Sequence, residues 1–194
     1  ADSVNISEIS EADMNSAQMG LVGVIAALLM VQYNVSPVLA CLVGLVVGVV
    51  VGLINGLLIT YTQMPPLIMT LGMSYATRGM AYIITGGYPV YGLPESMKWM
   101  GQGYLFGVVP VCVLVMVIVI AIGAFIMNKT YVGRQFYAIG SNAESARISG
   151  IKVERNKWIA YVISGMIAGF AGVLWVCKYA CAQGTTATSF ELNV

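Results

Sequence analysis

Five stretches of the chain are dominated by apolar side chains: residues 18–33, 37–60, 65–85, 105–127 and 158–179. A helix that crosses a bilayer needs about 20 such residues. The first stretch is short for that, and the others reach or approach the full length. The pattern predicts an all-α, polytopic membrane protein of about five transmembrane helices. Ahead of the first stretch, residues 1–18 are polar and acidic, with Asp2, Glu8, Glu11 and Asp13. With no basic segment before the apolar run, they do not make an ordinary signal peptide. They read as an N-terminal tail, or as the altered edge of a truncated chain, with residues 19–194 forming the transmembrane unit.

Periodicity inside the stretches says which faces meet protein. Gly44, Gly48, Gly52 and Gly56 recur every fourth residue and line one helix face, where a second backbone can approach closely. Gly165 and Gly169 repeat the device in the last stretch. Asn55 adjoins the first glycine stripe. In residues 65–85 a helix start is marked by Pro65-Pro66. Thr70, Ser74 and Arg78 then follow at i, i+4 and i+8 and make one polar face on an apolar helix. Arg78 either turns into the bundle or a water-filled cavity, or snorkels to an interface. The fourth stretch is almost all Val, Ile, Leu and Met, has no polar stripe, and predicts a lipid-facing or scaffold helix.

The longest polar interval, residues 128–157, separates the last two stretches. It carries Lys129, Arg134, Arg147, Lys152, Arg155 and Lys157, six of the nine Lys and Arg residues. Basic loops remain on the cytoplasmic side, so this interval predicts the orientation of the whole chain. Ser141 and Glu144 have capping-box spacing and Gly150 is a stop signal, which predicts a short helix over 142–149. Such a helix is marginal alone and needs a support. That support is either its own protein or a cytoplasmic partner. Residues 86–103, rich in Gly, Pro and Tyr, predict an ordered loop on the opposite side.

Composition agrees. The chain is 59% hydrophobic and 9% charged, whereas soluble domains carry about a quarter charged residues. It contains no histidine, the commonest general base and metal ligand. Cys41, Cys112, Cys177 and Cys181 lie in or beside apolar runs, and no ligand set forms around them. They read as inert thiols. The basic residues are few and lie mainly in one loop, so nucleic-acid binding is not indicated. No cofactor is implied.

Several ordered motifs resemble the permease subunits of monosaccharide ABC importers, the ribose, galactose, arabinose and xylose group. They are Asn55-Gly-Leu-Leu, Met64-Pro-Pro-Leu-Ile-Met-Thr-Leu-Gly72, Ala76-Thr-Arg-Gly79 and Thr85-Gly-Gly-Tyr-Pro-Val-Tyr-Gly-Leu-Pro94. Residues 133–151 and 161–172 resemble the same family. The resemblance implies a partial type II ABC importer permease, the middle of a chain with roughly twice as many spans. It implies a bacterial inner-membrane subunit without chemistry of its own. Its partners would be a separate ABC ATPase, an extracytoplasmic sugar-binding protein, a second permease copy and the lipid bilayer. It carries ATPase coupling to Glu144, Ala146, Arg147 and Gly150, on a helix capped by Ser141. Asn55, Thr70, Ser74 and Arg78 are candidates for lining the solute pathway.

Three other readings compete. A secondary transporter couples through intramembrane carboxylates, and none is expected within the five stretches. An intramembrane enzyme would lack a buried acid, base or metal set. A truncated permease could also be a non-transporting accessory protein.

Overall fold

The computed structural model describes residues 6–62, 64–105 and 109–184. The first five residues of the expected tail and the last ten of the chain lie outside the described residues. The architecture is helical: α1 (Ile6–Val31), α2 (Pro37–Thr62), α3 (Pro66–Thr85), α4 (Glu95–Gln102), α5 (Val111–Lys129), α6 (Tyr131–Ser141), α7 (Ala143–Ile148) and α8 (Val153–Tyr179). Two small antiparallel ladders accompany the helices. Val90–Tyr91 (β1) pairs with Cys181–Ala182 (β4), and Tyr104–Leu105 (β2) with Val109–Pro110 (β3).

Among the described residues, four helices are long and apolar enough to cross a membrane: Glu11–Val31 within α1, and α2, α5 and α8. The third expected span, α3, has 20 residues. Its polar face, with Thr70, Ser74, Thr77 and Arg78, keeps it out of that class.

The main departure from expectation is α1. Its helix starts at Ile6, well ahead of the apolar run, and takes in most of the expected tail. Polar residues before and at the start of that run point inward. Asp13, Ser16 and Gln18 are buried. Hydropathy averages over such residues because each has a partner inside the protein. The Gln18 Nε2 donates to the carbonyls of Gly48 on α2 and Gly165 on α8. The Ser164 hydroxyl donates to Asn15 Oδ1 at 3.1 Å. Above them, Leu21, Val22, Val24, Ala26 and Ala27 are sealed against neighbours. α1 is thus the central helix, packed by α2, α3 and α8.

The glycine stripes do what their spacing predicts. α2 and α8 form the most extensive helix pair in the molecule. A Cβ placed at Gly48 would lie 2.8 Å from the Gly165 carbonyl oxygen and 3.0 Å from the Gly169 Cα. Gly44 faces Val22 and Val173, and Gly56 faces Tyr161 and Trp158. All of Gly44, Gly48, Gly52, Gly56, Gly165 and Gly169 are buried in this packing. By contrast α5 buries no residue, as the absence of a polar stripe implies.

The Gly- and Pro-rich loop is ordered against the end of α8. β1 joins β4, Met97 of α4 enters a cluster with Val22, Met30, Ala40, Val173 and Cys177, and Gln102 Nε2 donates to the Lys178 carbonyl at 2.8 Å.

Candidate functional site

Two groupings carry the chemistry foreseen in the sequence: the basic interval between α5 and α8, and the polar face of α3.

The interval is helical through most of its length. α5 ends at Lys129, and Thr130 serves both neighbours. Its hydroxyl donates to the Ile126 carbonyl at 2.6 Å and accepts from the Gly133 amide at 3.2 Å. This double use lets α6 start with no intervening loop. α6 was not foreseen, because its Gly-Arg-Gln-Phe-Tyr pattern is mixed rather than apolar. Asn142 then turns the chain into α7. Its side-chain oxygen accepts from the amides of Glu144 and Ser145, both at 3.0 Å.

The cap is therefore Asn142 and not Ser141. Ser141 is the last residue of α6, and its hydroxyl is spent on the Tyr137 carbonyl at 3.0 Å. Glu144 supplies its amide to the cap. α7 is shorter than the expected 142–149, with six residues. It stops as anticipated at Gly150, which has φ +84° and donates to the Arg147 carbonyl at 3.0 Å. An Asn142→Ala substitution should cost about 1 kcal/mol of local stability. The check is amide exchange at Glu144 and Ser145, expected to quicken about fivefold while exchange in α8 stays unchanged.

The expected coupling residues do not share one face. Ala146 is 4% exposed and turns inward, where α7 rests on α6 and α8. Glu144, Arg147 and Gly150 are exposed. Arg147 pairs with Glu154 of α8 at 3.2 Å, a solvated pair that orients the guanidinium and adds little stability. Sequence reading passed over Ile148, which is 82% exposed at the end of α7. The signal for it was available: an isoleucine in the middle of a polar, basic interval has no interior to enter.

The second grouping lies between helices. Asn55, Thr70 and Ser74 are fully buried and Thr77 nearly so. The Thr70 hydroxyl donates to the Pro66 carbonyl at 2.9 Å, and that of Thr77 to Met73 at 2.7 Å. Asn55 Nδ2 reaches Met14 Sδ of α1 at 2.9 Å, while its Oδ1 has no hydrogen-bond partner. Thus the expected pathway residues are brought to one region, the seam where α1 packs on α3 and α2.

Arg78 turns inward to an ion pair with Asp13 of α1 and does not snorkel. Its guanidinium also donates to the Ser16 hydroxyl at 3.2 Å. Ser74 Oγ lies 3.1 Å from Asp13 Oδ2 and 2.8 Å from the Leu71 carbonyl, and its single proton serves one of them at a time. The expectation that no carboxylate lies within a span is overturned, since Asp13 belongs to the helix stretch Glu11–Val31. The clue lay in Arg78 itself: a charge on an apolar helix needs a counter-ion, and acids were plentiful just before residue 18.

Residues 14–194 match the protein family described as the branched-chain amino acid transport system / permease component. The chain belongs to this permease family. The ribose import permease protein RbsC of Bacillus subtilis is 41% identical over 166 residues, covering 84% of this chain and 51% of that protein. The autoinducer 2 import system permease protein LsrC of Yersinia enterocolitica is 33% identical over 155 residues, covering 80% of this chain and 43% of that protein. LsrC of Klebsiella pneumoniae is 32% identical over 137 residues. The chain spans about half the length of these relatives. No solved structure matches it. The family match starts at Met14, inside α1, which agrees with a transmembrane unit reaching further back than hydropathy indicated.

Proposed function

We propose that this chain is a transmembrane permease portion of an ATP-driven importer for a monosaccharide or similar small polar solute. Its interval 128–157 would be cytoplasmic and would couple it to a separate ATPase. It would act in a bacterial inner membrane, with a second permease copy and an extracytoplasmic solute-binding protein. The relatives' names, ribose and autoinducer 2 import permeases, support the solute class.

The observation that carries the coupling reading is α7. It is short, capped at both ends, supported from beneath by Ala146, and presents Glu144, Arg147 and Ile148 outward. An exposed isoleucine flanked by charges suits a partner's apolar pocket with a charged rim. In this reading Ala146 sets the closeness of α7 to its own protein, and Arg147 and Ile148 meet the ATPase. Closure of the ATPase dimer on ATP would move α7 and, through Arg147–Glu154 and the short turn at 149–152, the start of α8.

The test is capture of the ATPase from native membranes by the unmodified chain and by Ile148→Arg. Capture by the first, with at least tenfold loss in the second, is expected, because a central apolar anchor is worth about 2 kcal/mol or more. Equal capture by both would remove α7 as the docking element. No ATPase with either would favour the non-transporting accessory reading.

The secondary-transporter alternative gains a carboxylate in Asp13, which the structure holds in an ion pair with Arg78; the family match and the relatives' names favour the ATP-driven importer over it.

A further inference from the structure

The polar cluster on the α1–α3 seam has one feature that structural packing leaves unexplained. Asp13 answers the Arg78 terminal nitrogen, with Ser16 and Ser74 filling in around the pair. The Nε–H of Arg78, however, is buried without a hydrogen-bond partner. A clamp between two helices needs only one charge on each side, and lysine would serve. The planar guanidinium is anchored through one terminal nitrogen, and its Nε–H edge is left as a donor for a further acceptor. Asn55 Oδ1 on α2, also buried and unpartnered, offers an acceptor beside α1, where its Nδ2 reaches Met14.

We propose that Asp13 is a positioning residue: across the intact α1–α3 pair it holds Arg78 so that its free Nε–H edge meets hydroxyl groups of the translocating solute when the bundle opens beside that pair. This rests on the permease reading above and names the chemistry of its route: a neutral, polyhydroxylated solute, met by an arginine whose charge Asp13 balances. Balance matters because an uncompensated cation in the route would favour anions over sugars.

The test is uptake by the full chain in its native membrane with its own ATPase and binding protein. The probes are D-ribose and its 2-, 3- and 5-deoxy analogues. The readout is the ratio of ribose uptake to that of each analogue, because the binding protein is the same for every variant and a purely structural role would scale all solutes together. Arg78→Lys keeps the ion pair and removes the Nε–H edge. It should lower at least one ratio about tenfold, the value of a lost hydrogen bond to a charged donor. Asp13→Asn should lower the same ratio, and Asp13→Glu should restore it.

The neutral pair Asp13→Asn/Arg78→Gln relieves any unpaired charge and keeps the chain folded should a single variant fail to insert. Its ratio should be as low as that of Arg78→Lys. Unchanged ratios in Arg78→Lys and in the folded neutral pair would reduce the cluster to a helix clamp and overturn the proposal. Failure of the unmodified chain to take up any of ribose, galactose, arabinose and xylose would overturn the sugar-permease reading and this inference with it. That failure is distinguishable, because it shows before any substitution.

Discussion

Replacing Gly52 with leucine is expected to remove most of the folded protein from the membrane. A Cβ at this position would sit 2.5 Å from the Tyr161 carbonyl oxygen and 3.1 Å from the Gly165 Cα. Both are backbone atoms of α8 and cannot rotate aside as a side chain does. The helices would have to separate along the whole stripe, because Gly48 and Gly165 face each other one turn away: a Cβ on Gly165 would lie 2.6 Å from the Gly48 oxygen. Separation also pulls those two carbonyls away from Gln18. Overpacking costs about 1–3 kcal/mol, and each lost hydrogen bond about 0.5–1.5 kcal/mol. Together these approach the low end of whole-protein stability, about 5 kcal/mol.

The matched control is Gly72→Leu on α3, where nothing lies within 4 Å of a Cβ. That change should be neutral, or stabilising by up to about 1 kcal/mol through helix propensity. Size-exclusion profiles and melting temperatures in detergent decide the matter. A monodisperse Gly52→Leu protein melting with the unmodified chain would mean that the α2–α8 contact is not what holds the bundle.

Those glycines show what a sequence reveals well. A four-residue repeat has one geometric meaning on a helix, so the closely packed face of α2 could be read directly, as could its partner on α8. Helix α5 was also legible, since a run with no polar stripe and no repeat of small residues gives no sign of a packed face, and α5 buries no residue. The start of α1 was hidden for a physical reason. Hydropathy scores each residue against water or lipid, and cannot register that Asp13, Ser16 and Gln18 are solvated by Arg78, Asp13's own carbonyl and two glycine carbonyls. The cap of α7 went to Asn142 over Ser141 for a similar reason, since the Ser141 hydroxyl is already engaged by α6. In the candidate site, residue types at the right spacing identified Thr70, Ser74 and Arg78 on one face. What they face could come only from the tertiary packing, and it is α1.

The second large effect concerns that packing. Asp13→Ala is expected to destabilise the chain by about 3–5 kcal/mol, because it strands the Arg78 guanidinium among apolar helices. The side chains of Arg78 and Asp13 are 20% and 11% exposed. Arg78 can therefore recover only part of its lost solvation from water, and the true cost should fall toward the lower figure. The double variant Asp13→Leu/Arg78→Met makes the opposite prediction. It removes both charges together and fills the seam with side chains of similar size, so its stability should return to within about 1 kcal/mol of the unmodified chain or exceed it. Melting temperatures of the two single variants and the double in one detergent close the cycle. A double variant as unstable as Asp13→Ala would show that the pair contributes net stability beyond mutual neutralisation. A recovered double variant would show that the fold does not require this buried pair, which leaves the solute-uptake ratios to decide what the pair is for.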